Sequence, residues 1–185
     1  MLVKQIILSK LDYNNALYAG LTALQIQKLQ SIINSAIRFT YNLKYRDSVT
    51  EHIVKSHILP VKYRIDFKIN LLVFKCLHNS APDYLKELIT WNIPSRTIIN
   101  NERVISNSFT VTNNNPPRRT QDPLLLVIPT DFGNRTTYRS RSFSHYAPRT
   151  WNKLPFSIRC LSNKDRFKNE LKTFCFNRYL CDINY

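Results

Sequence analysis

Twelve acidic residues are available in this chain for general acid–base work or for holding a catalytic metal. Two-metal phosphoryl transfer needs carboxylates that converge, and here they are scattered. No two are adjacent, and the closest pairs, Asp47/Glu51 and Asp83/Glu87, are one helical turn apart. Such pairs suit a solvated helix surface, or the favourable field at a helix N-terminus. Asp47, Glu51 and His52 form an acid–base grouping, but no nucleophile or phosphate cradle accompanies it. Ser, His and Asp all occur without a nucleophile elbow. The two glycines, Gly20 and Gly133, exclude a P-loop and a dinucleotide fingerprint, which need clustered glycines to bring backbone close to phosphate. The sequence contains no catalytic constellation.

Metal chemistry is equally poorly served. The cysteines are Cys76, Cys160, Cys175 and Cys181, and no two lie two to four residues apart. A structural zinc site usually takes two close ligand pairs. Cys175 and Cys181 with His145 make a forced set, so the thiols read as reduced, small apolar groups. Neither a metal nor another cofactor is expected.

What remains is positive charge. Lys and Arg number 27 against 12 acids, a formal net charge of +15. That exceeds what a small domain needs for solubility and predicts a polyanionic partner, nucleic acid before an anionic membrane. The type of base also changes along the chain. Residues 1–92 carry nine Lys and three Arg, and residues 93–185 four Lys and eleven Arg. Arginine presents a planar fork to phosphate and a face for stacking, so the second half is the better candidate for contact. Residues 132–164 hold seven bases, Arg135, Arg139, Arg141, Arg149, Lys153, Arg159 and Lys164, and no acid. Six aromatics are interleaved: Phe132, Tyr138, Phe143, Tyr146, Trp151 and Phe156. Bases neutralise phosphates and release counterions, and aromatic rings stack on unpaired nucleobases. Phe143, Trp151 and Phe156 read as core, where large aromatics dominate burial. Lys164, Lys168 and Lys172, at spacing four, add a basic stripe to a helix. These nine bases are the candidate nucleic-acid contacts.

The elements that must position them are mostly helical. A chain of 185 residues, 43% hydrophobic, has material for a real core and cannot be disordered throughout. It has no apolar run of about 18 residues, so no membrane span is expected. Residues 1–10 lack the long apolar core and cleavage site of a signal peptide. Thr22 with Gln25 forms a capping box, and Ile26, Leu29, Ile33 and Ala36/Ile37 recur at helical spacing. This predicts a helix over about 22–41, ended near Asn42. Short helices are expected over 9–18 and 48–56. Leu59-Pro60 opens a helix over 61–77 that is apolar nearly all round apart from Arg64, Lys68 and Lys75, as a central core helix would be. Pro82 starts a short helix through about Ile89. Residues 91–123, rich in Asn, Ser, Thr and Pro, read as a mobile linker. Leu124–Ile128 reads as a strand that 106–112 pairs with. Ser162 with Asp165 caps a last helix to about Leu180, with Phe167, Leu171, Phe174 and Cys175 as its apolar face. The expected fold is mainly α, a helical bundle with a small β-hairpin or short sheet in the C-terminal half. Its regions are a helical 1–90, the linker 91–123 and a basic aromatic 124–185 packed around Trp151.

Several stretches carry a family resemblance. Ser9-Lys10-Leu11-Asp12-Tyr13-Asn14-Asn15-Ala16-Leu17, then Gly20-Leu21 and Lys28-Leu29-Gln30, resemble the S-x-L-D-Y-x-N-A-L … G-L … L-Q stretch of non-LTR retrotransposon (LINE-type) reverse transcriptases. Leu59-Pro60-Val61 with Arg64-Ile65-Asp66-Phe67-Lys68-Ile69 resembles that family's L-P-V-x-x-R-I-D-F-K-I. Val73-Phe74-Lys75-Cys76-Leu77-His78 with Ala81-Pro82-Asp83-Tyr84-Leu85 resembles V-Y-K-x-L-H … A-P-x-Y-L. The run Arg141 to Pro155 resembles R-x-F-x-x-x-A-P-x-x-W-N-x-L-P, and Phe167-Lys168 with Leu171-Lys172 a closing F-K-x-x-L-K. The matches are in order over about residues 9–176, with 91–123 only weakly matched.

The resemblance implies the thumb and post-thumb region of such an RNA-directed DNA polymerase. The family's catalytic Tyr-x-Asp-Asp box, the other palm carboxylate and the endonuclease lie outside this sequence, and with them the Mg used by the parent polymerase. The chain would then be a C-terminal fragment, inactive as a polymerase alone, whose partners are RNA or DNA and the upstream polymerase and endonuclease regions. An intracellular location, nucleus or cytoplasm, would follow. A stand-alone, sequence-independent RNA- or DNA-binding module and a folded relic without function are the alternatives.

Overall fold

The computed structural model describes residues 3–13, 15–92, 124–129 and 141–183. A π-helical turn, Val3–Leu8, runs into α1 (Ser9–Asp12), and a 3-10 turn, Asn15–Tyr18, follows. The remaining helices are α2 (Ala23–Tyr41), α3 (Thr50–Lys55), α4 (Val61–Leu77), α5 (Asp83–Lys86), α6 (Phe143–Trp151), α7 (Phe156–Arg159) and α8 (Lys164–Ile183). The protein is mainly α, as its periodicity predicts.

The start and stop of α2 are written locally. Thr22 Oγ1 accepts from the Gln25 amide at 3.4 Å, and the Thr22 amide donates to Gln25 Oε1 at 3.1 Å. Asn42 ends the helix in the left-handed conformation, φ 52° and ψ 42°, which asparagine tolerates better than most residues. The N-terminus of α4 follows Pro60, whose side chain offers no cap. Its Val61 amide is satisfied from outside, by Gln30 Oε1 of α2 at 2.9 Å. One side chain thus serves as both spacer and cap between two long helices.

Helix α4 is the hub. Tyr63, Ile65, Phe67, Ile69, Val73, Phe74 and Cys76 are all buried on it. It packs against α2, α5, α6, α8 and the 3-10 turn, which is why its apolar residues go almost all round. An aromatic series crosses the centre. Trp151 stacks on Phe167 (centroids 5.8 Å), Phe167 on Phe74 (4.3 Å), and Phe74 on His78 (3.9 Å). Residues from both ends of the chain therefore share one core, and 1–90 and 124–183 do not form separate cores.

Three local expectations change. Among the described residues the expected strand is reduced to one antiparallel bridge, Leu126 with Trp91. Residues 106–112, the expected partner, lie outside the described residues. The Leu126 backbone is instead clamped by a side chain. Its amide donates to Asn152 Oδ1 and its carbonyl accepts from Asn152 Nδ2, both at 2.9 Å. The Trp151 indole donates to the Leu124 carbonyl at 3.0 Å. Helix α8 is capped by Asn163, not Ser162: Asn163 Oδ1 accepts from the amides of Asp165 at 2.9 Å and Arg166 at 3.0 Å. Phe156, expected in the core, is 42% exposed, whereas Trp151 is 1% exposed.

Gly20 joins the two ends of the chain. Its φ is +70°, and a Cβ there would lie 2.5 Å from Arg141 Cγ. Both the backbone conformation and the neighbouring side chain exclude a larger residue.

Candidate nucleic-acid interface

Of the nine candidate contacts, Arg135 and Arg139 lie outside the described residues. Arg149 on α6, Lys153 just after it, and Lys164 and Lys168 on α8 are exposed. Arg141 and Lys172 are half-buried, Arg141 with its stem against Gly20 and Lys172 with its ammonium 6.0 Å from the Phe176 ring centroid. Arg159 is placed differently. It is 7% exposed, and its Nε donates to the Leu154 carbonyl at 2.9 Å. It ties α7 to the turn after α6 and is not on the surface. Arg166, exposed in the first turns of α8, was missed by sequence reasoning because it is off the spacing-four stripe. Its position in a basic helix start was the available signal.

The exposed bases of α6 and α8 stand in sequence beside the two rings of the core stack. Trp151 sits against Phe167. Arg149 and Lys153 flank Trp151 by two residues, and Lys164 and Lys168 lie within three residues of Phe167. The burial of the rings fixes the scaffold, and the bases one to three residues away are exposed. Of the aromatics that are candidates for stacking on nucleobases, Phe143, Tyr146 and Trp151 of α6 pack into the core, Phe156 of α7 is exposed, and Phe132 and Tyr138 lie outside the described residues.

Ion pairing divides the bases sharply. Arg64 holds Asp12 with two hydrogen bonds, Nη2 to Oδ2 at 2.6 Å and Nε to Oδ1, and Lys68 stands 3.7 Å from the same carboxylate. Lys55 pairs with Glu51, Lys62 with Asp182 and Lys86 with Asp83. Among the described residues no ion pair joins Arg141, Arg149, Lys153, Lys164, Lys168 or Lys172 to a carboxylate. Apart from Lys153, whose charge also acts on Asp66, their positive field is left for a partner outside the chain.

The acids are occupied structurally. Burial works to raise the Asp12 carboxyl, but the Arg64 hydrogen bonds and charge, with Lys68, hold it below the usual carboxylate range. Asp66 goes the other way. Burial pushes its carboxyl up, against the Tyr146 hydrogen bond at 2.8 Å and the charges of Arg178, Lys153 and Lys62. Cys175 beside it is raised to about 12 by burial and by the Asp66 charge, so it is no thiolate nucleophile. Asp47 accepts the Lys44 amide at 2.7 Å in a turn. Glu51 and Asp83 lie in the first turns of α3 and α5. Cys76 and Cys175 are buried, Cys160 half-buried and Cys181 exposed. Among the described residues no three His, Cys, Asp or Glu side chains gather as a metal site, and no helix is long and apolar enough to cross a membrane.

No protein-family model matches the chain, and no curated protein or solved structure matches it.

Proposed function

We propose that the chain is the C-terminal, thumb and post-thumb part of a non-LTR retrotransposon reverse transcriptase. In this reading it is a non-catalytic part that grips RNA or DNA through phosphate contacts. The observation that carries it is the set of exposed bases, Arg149, Lys153, Lys164 and Lys168, which make no ion pair among the described residues and stand in sequence beside the Trp151–Phe167 stack. Arg141 and Lys172 extend the set. Bases that meet phosphates without reading base edges give affinity without sequence preference.

The resembling stretches also touch one another. Asp12 of the first pairs with Arg64 and Lys68 of the second, and Gly20 of the first packs on Arg141 of the fourth. Asp66 of the second accepts from Tyr146 of the fourth. Motifs spread along the sequence thus act as one folding unit, as expected of a region kept together within a larger enzyme. Catalysis, Mg and the endonuclease belong to segments outside this sequence, so no nucleotide incorporation is expected from this chain alone.

The test is equilibrium binding to single-stranded RNA and duplex DNA across a salt series. The observed constant should fall steeply with salt, with a slope of about −0.9 per phosphate neutralised on duplex DNA. Replacing Arg149, Lys153, Lys164 and Lys168 together by Ala should weaken binding more than about tenfold at low salt and flatten the slope by about two to four. Replacing Lys55 and Lys86, which already have carboxylate partners, should change little. Indifference to both polymers at low ionic strength would remove the proposal and leave the reading of a folded relic.

A further inference from the structure

A cleft of about 380 Å³ opens between α2, the 47–50 segment and the start of α4, well away in sequence from the basic groups of α6 and α8. That volume is in the range of small-molecule sites. Its apolar lining is Ile26 on α2 with Val49, Ile53 and Pro60 from the neighbouring segments. Polar side chains follow Ile26 one helical turn apart on α2. Gln30 spends both ends of its amide internally, its oxygen on the Val61 amide and its nitrogen on Asn34 Oδ1 at 2.9 Å. This fixes the Asn34 amide so that its nitrogen is left to donate elsewhere. Four residues on, Arg38 Nε is buried with no hydrogen-bond partner among the described residues. The Arg38 guanidinium is held 5.8 Å over the Tyr45 ring, which orients it and leaves its fork to an anion. Lys62 adds a cation to the lining, partly engaged by Asp182 at 3.7 Å. Asp47 is the one carboxylate in the lining, and its Oδ2 already accepts the Lys44 amide.

A buried guanidinium nitrogen without an acceptor costs free energy, and the neighbouring amide supplies a second donor. Donors at the Arg38 end of the cleft and apolar side chains elsewhere in its lining fit a ligand with an acceptor-only head and a flat body. We propose that this cleft binds a phosphate monoester of nucleoside monophosphate size, the phosphate on Arg38 and Asn34 and the base against Ile26, Val49 and Ile53. The same chemistry is offered by a free nucleotide and by the phosphorylated end of a nucleic-acid strand. The inference rests on the cleft alone and not on the basic surface.

The purified full chain is titrated calorimetrically with adenosine monophosphate and with inorganic phosphate. Adenosine monophosphate should bind, and phosphate should bind more weakly for want of the apolar contacts. Arg38→Gln should weaken nucleotide binding at least about tenfold. Asn34→Asp keeps the oxygen that Gln30 donates to and puts an anion where the donor was. It should therefore abolish binding while the chain stays folded. A 5′-phosphorylated dinucleotide that competes with bound adenosine monophosphate assigns the ligand to a strand end, and one that does not assigns it to the free nucleotide. No heat at millimolar nucleotide, equal affinity for inorganic phosphate, or unaltered binding by a folded Asn34→Asp variant would each overturn the proposal. The quadruple variant of α6 and α8 should keep its nucleotide binding, which separates this site from the strand-binding surface.

Discussion

Lysines 55, 62, 68 and 86 and Arg64 each make an ion pair with a carboxylate, while Arg149, Lys153, Lys164 and Lys168 make none among the described residues. The two regions have the same kind of side chain put to different ends. Lys62, Arg64 and Lys68 of α4 join it to α8 and α1, and Lys55 and Lys86 pair within their own helices; on α6 and the start of α8 the bases are left out of such pairs. Overall charge therefore says little about where a polyanion would lie, and the accounting of partners says more. Arg159 sharpens the point. It belongs to the basic region by sequence and to the scaffold by contact, because its Nε serves the Leu154 carbonyl.

If the α6–α8 region is a rigid platform for its bases, the largest effect should come from its centre. Trp151→Ala should cost about 3–5 kcal/mol, read by chemical denaturation, because the ring is buried against Phe167 and donates to Leu124. A loss below 1 kcal/mol would show that this region does not depend on the stack.

On the other side of the comparison, Asp12→Asn removes the carboxylate shared by Arg64 and Lys68. It leaves a guanidinium only 17% exposed, and should cost about 1.5–3 kcal/mol. The depressed Asp12 carboxyl also sets a sign: its stabilisation is present above the unfolded-state value and is lost as pH falls through the folded-state one. The Asn variant should therefore lose less stability than the parent on acidification. Equal acid sensitivity would mean that this pair does not lock α1 to α4.

Gly20→Ala should destabilise by about 1–2 kcal/mol through the positive φ alone, more if Arg141 cannot move aside. Arg141→Ala in the same background should recover part of that loss, and strict additivity would contradict the packing described.

Asp66 gives a smaller, opposite dependence on pH. Its folded-state carboxyl is raised, so its contribution is fully present below the ordinary value of about 3.9 and is lost as pH rises through the folded-state value. Asp66→Asn should flatten the stability profile over that window. At the small end, Phe156→Ala should shift stability by no more than about 0.5 kcal/mol, which a melting curve can check against Trp151→Ala.

Where a structural decision is made by near neighbours, it could be read from the chain. The Thr22–Gln25 box, the Asn42 stop and the apolar circumference of α4 each need a few residues only, and they fall where periodicity and capping put them. Ser162 and Asn163 are adjacent potential caps, and choosing between them depends on which residue the backbone leaves outside the helix. Helix α6 is hard to anticipate because Pro148 lies inside it, where the missing amide removes one helical bond. The exposure of Phe156 and the burial of Arg159 are tertiary facts: each depends on how α7 sits on its neighbours, which no local pattern encodes. The cleft beside Arg38 was equally hidden. Its donors lie on α2 but its apolar lining draws also on α3 and the segment before α4, and only folding brings them together.

The bridge between Trp91 and Leu126 has a consequence for sequence change at this seam. The Asn92 amide donates to the Leu125 carbonyl and the Val127 amide to the Thr90 carbonyl, both at 2.9 Å. These bonds use main-chain groups alone, so the seam between the segment after α5 and the segment before α6 tolerates any side chain at residues 92 and 127 except proline, which has no amide to give.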